Sequence, residues 1–181
     1  QKLADDDADW KVRVAALKAL GNFSLSGNTS ALRTFKRAMK DGNMYISLTA
    51  LTSIGDAGLS GTDSSDGMND VVSTLKIIAE NRSSGYQWQL QGEAAIALAK
   101  IIGAKAWRYA MPSSYSSPLL RAQLLNALGT TGIIEALPEL LRFARPDAEA
   151  KELYRAAIEG LGELCSKNRG NAEVITKTYD A

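Results

Sequence analysis

The sequence has no histidine and only one cysteine among its 181 residues. Without histidine, Ser-His-Asp catalysis, Cys-His catalysis and every histidine-ligated metal site are excluded. The single thiol, Cys165, can form neither an intrachain disulfide nor a multi-cysteine metal cage. We therefore expect a chain that is not an enzyme, with no catalytic residue, no metal ligand and no cofactor.

Long apolar runs and net charge are also missing. No apolar stretch approaches the roughly 20 residues that a membrane-spanning helix needs, so we expect no membrane span. The 21 Lys and Arg residues nearly balance the 20 Asp and Glu residues, which leaves a formal charge of +1. A charge this small gives no whole-molecule attraction for a polyanion, and a nucleic-acid partner is not expected.

Alanine and leucine are abundant, with 27 and 22 residues against 5 valines. Small and straight side chains keep their rotamer freedom on a helix, so this balance favours helices over strands. A hydrophobic share of 45% is sufficient for a folded core. We predict an all-α fold in a single domain, 1–181, in which the Gly-, Ser- and Asp-rich residues 55–70 form a long flexible loop between helices.

One 13-residue block recurs five times. Its apolar residues have helical spacing, and in the first copy Asp9 stands where an N-cap belongs and Gly21 where a left-handed C-cap belongs. The copies are Asp9–Gly21, Asn43–Gly55, Gln87–Ala99, Ser117–Gly129 and Ala150–Gly162, with starts 34, 44, 30 and 33 residues apart. The residues predicted to face inward are Val12, Ala16, Ala19 and Leu20 in the first copy, Ile46, Ala50, Ser53 and Ile54 in the second, and Leu120, Leu124, Ala127 and Leu128 in the fourth.

Further amphipathic helices lie between the copies. We predict them at Ser30–Lys40, Asn69–Glu80, Ala104–Met111, Ile133–Ala144 and Asn171–Tyr179. Each helix has one apolar stripe, and no hairpin of two such helices can bury both stripes alone. Stacked hairpins bury them together, so the sequence predicts an α-α superhelix of about five hairpins, or roughly nine to ten helices.

The repeated block resembles the second helix of HEAT repeats and of the related HEAT-like repeats of the PBS-lyase type. The resemblance rests on the pattern D-x-x-V-R-x-x-A-x-x-A-L-G, formed by Asp9, Val12, Arg13, Ala16, Ala19, Leu20 and Gly21 and partly repeated at Leu120, Arg121, Leu124, Ala127, Leu128 and Gly129. It implies that these helices line the concave side of a superhelix. It also implies that Asp9 and Arg13 belong to a structural ladder between repeats, which the later copies do not continue.

Equivalent positions of the block predict a candidate protein-binding surface. Trp10, Met44 and Trp88 occupy the same place in three copies, near the helix starts. Large apolar groups in a row suit a peptide or helix, because aromatic anchors dominate binding energy at protein interfaces. The alternative is that the row fills gaps between repeats. The remaining candidates, from the following turns and the fourth copy, are Val14, Leu48, Gly92, Lys18, Thr52, Ile96 and Arg121.

A second cluster is basic. Arg33, Lys36, Arg37 and Lys40 are spaced three and four residues apart, which puts them on one face of a helix. We interpret them as a solvated outer face, and a phosphate-binding patch is the alternative.

The function predicted from these features is a non-enzymatic scaffold that binds a protein or peptide on the concave surface. The alternative is a HEAT-like enzyme or enzyme subunit. This would be either a DNA-binding protein similar to alkylpurine DNA glycosylases, with Trp10 and Trp88 as stacking walls, or a chromophore-lyase-like protein. We expect a monomer, located in the cytoplasm by default, with export left open. Because the chain starts at Gln1 and the array opens on a second helix, we expect a fragment of a longer protein.

Overall fold

The computed structural model describes residues 1–23, 28–57, 66–80, 88–112, 115–145 and 150–179. Every regular element within these ranges is helical, so the all-α prediction is confirmed. The helices are α1 (Lys2–Asp6), α2 (Trp10–Gly21), α3 (Thr29–Ala38), α4 (Met44–Asp56), α5 (Asp66–Glu80), α6 (Trp88–Ile102), α7 (Trp107–Ala110), α8 (Pro118–Thr131), α9 (Leu137–Phe143), α10 (Lys151–Lys167) and α11 (Ala172–Tyr179). Short 3-10 turns at Gly103–Ala106 and Ile134–Ala136 precede α7 and α9.

The described residues form two compact units, 1–102 and 103–181, where the sequence analysis treated the chain as a single domain. In the first unit α2, α4 and α6 lie side by side in one layer, while α3 packs on α4 and α5, and α5 packs on α6. The short helix α1 lies against α2 and α3. In the second unit α10 is the central helix, since α8, α9 and α11 all contact it.

Helix starts repeat one capping scheme. Asp9 accepts a hydrogen bond from the backbone N–H of Lys11 at 2.8 Å, and Asn43 accepts one from Tyr45 at 2.9 Å. Ser117 caps α8 in the same way through the N–H of Leu120. These side chains satisfy N–H groups that have no partner inside the first turn. The predicted N-cap role of Asp9 is therefore confirmed.

Gly21 does not have its predicted role as a left-handed C-cap. It is the last residue of α2, and the cap that follows is Asn22 with φ −77°. The positive-φ glycines among the described residues are Gly103, which directly follows α6, and Gly132, which is the C-cap of α8. Gly21 matters for another reason, because a Cβ there would lie 2.9 Å from the Cβ of Ser53 on α4. The glycine lets two helices approach each other.

The same contact recurs between copies of the block, whose residues we number from 1 to 13. A position-13 glycine packs against position 11 of the following copy within each unit. The pairs are Gly21 with Ser53, Gly55 with Ala97, and Gly129 with Gly160. This constant offset confirms that the aligned blocks are structural repeats, stacked in the register in which the sequence aligns them.

Burial confirms the predicted inward face for the middle copies and corrects it for the first. Ile46, Ala50 and Ile54 are completely buried, as are Leu120, Leu124 and Leu128, whereas Ser53 and Ala127 are partly covered. In the first copy Val12 is 37% exposed and Ala19 is also exposed, while Ala16 and Leu20 are half-buried. The buried residues of α2 are instead Leu17 and Gly21, on the side that meets α4. The other side is only partly covered, although α1 also contacts α2.

The predicted loop at 55–70 is shorter than expected. α4 continues to Asp56, and α5 already begins at Asp66. Residues 58–65, where the prediction of flexibility applies, lie outside the described residues. In the part of the chain that the structure describes, no helix combines the length and apolar character needed to cross a bilayer.

Candidate functional site

An exposed aromatic pair lies at the start of the layer formed by α2, α4 and α6. The rings of Trp10 and Tyr45 stack with centroids 5.2 Å apart and an interplanar angle of 23°. Trp10 is 38% exposed and Tyr45 64% exposed, and Met44 beside them is 39% exposed. The ammonium group of Lys11 lies 5.9 Å from the Trp10 ring centroid. Large side chains that remain this open are available to a partner.

The capping residues position this pair. Asp9 starts α2 directly before Trp10, and Asn43 starts α4 two residues before Tyr45. Because α2 and α4 lie side by side, their first turns are neighbours and the two rings meet across the helix pair. The sequence analysis identified Trp10 and Met44 but missed Tyr45. The available signal was a second aromatic residue in the same first turn, one position beyond the aligned row.

A groove runs along the later turns of α2 and α4, beyond the first turns that carry this pair. It has a volume of about 510 Å³, and Lys18, Leu48 and Thr52 from the predicted surface all line it. Its other lining residues are Gly21, Asn22, Thr49, Ser53 and Asp56. The structure therefore brings together three of the predicted site residues from two adjacent repeats, at the crossing that Gly21 makes possible.

Polar contacts tie the groove wall on α4 to the next helix of the layer. Thr52 Oγ1 lies 3.2 Å from Glu93 Oε2, and Lys100 Nζ lies 2.5 Å from Asp56 Oδ1. Both pairs are exposed to solvent, where an ion pair contributes on the order of 0 to 1 kcal/mol to stability. Their main effect is to connect the α4 wall of the groove to α6.

The predicted residues of α6 and α8 are less accessible. Trp88 and Ile96 are half-buried, as is Val14 on α2. Gly92 on α6 is buried, so it is not part of the exposed surface. The exposed part of the predicted surface is therefore contributed mainly by α2 and α4.

The arginines aligned at position 5 have structural contacts. Arg121, in the second unit, donates a hydrogen bond from Nε to the carbonyl oxygen of Tyr115 at 2.6 Å. Ser47, at the same position in α4, donates to the equivalent carbonyl of Asp41 at 2.9 Å. The side chain at position 5 therefore stabilises the turn before α4 and the turn before α8. Arg121 has this structural role and is not part of the surface formed by α2 and α4.

The ladder expected from Asp9 and Arg13 takes a different form. Arg13 does join two repeats, but its partner is Asp41, at 2.6 Å, in the turn before α4. Its Nε also donates to the carbonyl of Ala4 at 3.3 Å. Asp9 is occupied as the cap of α2, and its equivalent, Asn43, carries no charge. The acidic partner of Arg13 is therefore Asp41, two residues before Asn43, which is the position aligned with Asp9.

A second groove, of about 1030 Å³, lies between α3 and the start of α5 and carries the basic cluster. Arg33, Lys36, Arg37 and Lys40 all line it. Lys36 pairs with Asp70 at 2.7 Å, and Arg37 pairs with Asp5 at 3.3 Å. Two of the four cations are thus partly neutralised within the fold, which weakens the groove as an anion site.

Comparison with known proteins supports the fold. A designed armadillo repeat protein matches 97% of this chain and 84% of its own length, with a TM-score of 0.51 and 16% sequence identity. No family model matches the chain, and no curated protein matches it either. At this identity the match establishes the architecture alone. The chain has the fold of an armadillo-type helical-repeat solenoid.

Proposed function

We propose that this chain is a non-enzymatic interaction module that binds a peptide segment of a partner protein on the exposed face of α2 and α4. The observation that carries the proposal is the stacked, exposed pair of Trp10 and Tyr45. Exposed aromatic rings held in place by stacking lose little conformational entropy on binding, and they supply large contact areas. A helical-repeat scaffold offers such an extended surface without a deep pocket.

The groove beyond the pair supports the same interpretation. Leu48 in its wall lies three residues after Tyr45 on α4, and Lys18 and Asp56 also line it, so the groove offers apolar and charged contacts. A peptide with a large apolar side chain followed by polar residues would match this order. Lys18 on α2 adds a positive charge that would favour an acidic residue in the bound peptide, whereas Asp56 on α4 is paired with Lys100.

We further propose that the repeats are of the HEAT type. The support is the D-x-x-V-R pattern of the first block together with the ion pair between Arg13 and Asp41, which joins consecutive repeats as a HEAT ladder does. This assignment adds no function by itself, because a fold hosts many functions and only a site defines one.

The test is a peptide-display selection against the chain, followed by affinity measurements on individual enriched peptides. Fluorescence polarisation would compare the unmodified protein with Tyr45→Ala and Trp10→Ala. We expect each substitution to weaken binding by about tenfold or more, as loss of an aromatic anchor does. Unchanged thermal unfolding would show that the variants keep their fold.

Ile77→Ala is the matched control. Ile77 is 63% exposed on α5, in the other layer of the first unit, so its removal changes exposed apolar area away from the proposed surface. It should leave the affinity unchanged. If the selected peptides bind Tyr45→Ala and Trp10→Ala as tightly as the unmodified protein, the aromatic pair is not the binding site.

A further inference from the structure

The helix α4, which lies between α2 and α6 in the first unit, buries two sides. Ile46 and Ala50 lie on the buried side of α4 that contacts α2. Leu51 and Gly55 lie on the other buried side of α4, which contacts α6. In block numbering the first side is positions 4, 8 and 11, and the second is positions 9 and 13. When the residues at these positions of another repeat helix are exposed, that helix therefore has no other described repeat helix packed on the corresponding side.

At the N-terminal end, α2 contacts the short helix α1, but the described residues leave its first side partly open. Val12 at position 4 is 37% exposed, whereas its equivalent Ile46 is completely buried. Ala19 at position 11 is also exposed, and Ala16 at position 8 is only half-buried. In the contacts between repeats, the residue at position 11 packs against the position-13 glycine of the preceding copy.

At the C-terminal end, α10 lacks a neighbour on its second side. Ile158 at position 9 is 46% exposed, whereas Leu125 at the same position of α8 is completely buried. Gly162 at position 13 is exposed, and a Cβ added there would meet no atom within 4 Å. One chain therefore carries both halves of the repeat contact, a free glycine on α10 and a free position 11 on α2.

Charges complement each other at these two faces. We number the residue that follows each block as position 14. In the groove between α2 and α4 the leading helix contributes positions 10, 13 and 14, and the following helix contributes positions 6, 7, 10, 11 and 14. In α10, positions 10 and 14 are Glu159 and Glu163, and in α2 position 10 is Lys18. Glu159 already pairs with Arg155 on its own helix at 2.9 Å. Stacking α10 ahead of α2 would therefore place mainly the Glu163 carboxylate across the groove from the Lys18 ammonium group, which favours this order of association.

We propose that a second copy of this chain docks head to tail, with α10 of one copy packed on α2 of the next as α2 packs on α4. The contact would place Gly162 against Ala19 of the next copy and would cover Ile158 and Val12. This differs from the monomer expected from the sequence, because the sequence does not show which apolar positions lack a neighbour. The contact joins different surfaces of the two copies, so it does not close into a dimer and concentration lengthens the assembly.

The experiment measures mass by sedimentation velocity over a range of protein concentrations. The unmodified chain should increase in average mass beyond the 19.4 kDa monomer as concentration rises. Ala19→Arg blocks the face on α2 and Gly162→Arg blocks the face on α10, so each variant alone should stay monomeric. Both sites are exposed, which allows the larger side chain without disturbing the fold, and thermal unfolding would verify this.

A mixture of the two variants distinguishes this contact from others. Ala19→Arg keeps an intact α10, and Gly162→Arg keeps an intact α2, so an equimolar mixture should form a 1:1 dimer and nothing larger. Ile77→Arg adds the same charge elsewhere on the first unit and should assemble like the unmodified chain.

Three results would overturn the proposal. A monomeric unmodified chain at all concentrations would mean that another polypeptide segment, not a second copy, covers these faces. Assembly that persists in either single variant would place the contact on another surface. Monomeric variants that do not dimerise on mixing would contradict the head-to-tail arrangement.

Discussion

The two units use the same glycine contact at different spacings. In the second unit α8 and α10 cross through main-chain atoms, since a Cβ on Gly129 would collide with the carbonyl oxygen of Gly160 and lie 2.5 Å from its Cα. In the first unit the partner of Gly21 is Ser53, and the corresponding Cβ would lie 2.9 Å from the serine Cβ. The residue at position 11 therefore sets how closely consecutive repeats approach.

This difference indicates where each unit is intolerant to change. A crossing with glycine on both sides has no side chain that can move aside, so any added atom must displace the backbone. A crossing of glycine with serine or alanine has a small side chain at the contact, and the helices can adjust by a few tenths of an ångström. The first unit also has a polar connection between repeats, the ion pair of Arg13 with Asp41.

The largest effect is expected from Gly129→Ala. The new methyl group would overlap the backbone of Gly160, and we expect a loss of about 3 kcal/mol in the free energy of unfolding, at the upper end for overpacking. Urea denaturation would measure the loss. Hydrogen exchange should accelerate in α8 and α10 while α2, α4 and α6 stay protected. Equal acceleration in both units would show that the crossing is not a local contact of the second unit.

Gly55→Ala should have an intermediate effect. Its Cβ would lie 3.0 Å from the Cα of Ala97, so the helices must separate slightly, and we expect a destabilisation of about 1 to 2 kcal/mol after the gain in helix propensity. Ala97→Gly in the same chain should restore part of the loss, which a double-mutant cycle would measure. Simple additivity of the two substitutions would argue against direct contact.

Asp41→Asn tests the polar connection. It removes the charge that faces Arg13 but keeps an oxygen for the backbone N–H of Asn43. Both side chains of the ion pair are largely shielded, with 22% and 18% exposure, so we expect a cost of about 1 kcal/mol. The cost should appear as a lower melting temperature. The isosteric change leaves packing intact, so an unaltered melting temperature would mean that the pair contributes no stability.

The smallest effect, and one of opposite sign, is expected from Gly162→Ala. This glycine occupies the same block position as Gly129, but open space surrounds it. Alanine there should stabilise α10 by about 0.5 to 1 kcal/mol, because it lowers the entropy that a helical glycine loses on folding. Thermal unfolding at low protein concentration would show the increase. A decrease would indicate that the position is already packed against a neighbour.

Much of the fold could be predicted from the sequence because helical periodicity and block spacing are local signals. The blocks, the cap at Asp9, and the buried faces of α4 and α8 all follow from them. The packing role of Gly21 could not be predicted from these signals, because a glycine after Leu20 has the same local pattern as a glycine that ends a helix. Only its contact with Ser53 on α4 shows that this glycine allows α2 and α4 to approach each other closely.

The candidate site was less predictable because it depends on how neighbouring helices are offset. Alignment placed Trp10 beside Met44, yet in the structure its ring stacks on Tyr45, one position later. Burial of Gly92 and exposure of Val12 depend in the same way on which elements pack nearby. A periodic pattern identifies the positions that can face a neighbour but does not show whether a neighbour is present.

The main-chain contact of α8 with α10 has a consequence for protein engineering. Consecutive repeats of a solenoid are often treated as interchangeable modules that can be recombined at their loops. Here the two glycines that pack against each other, Gly129 and Gly160, lie on different repeats. A chimaera that exchanges one of these helices for an ordinary repeat would lose the fit, so the two helices must be transplanted as a pair.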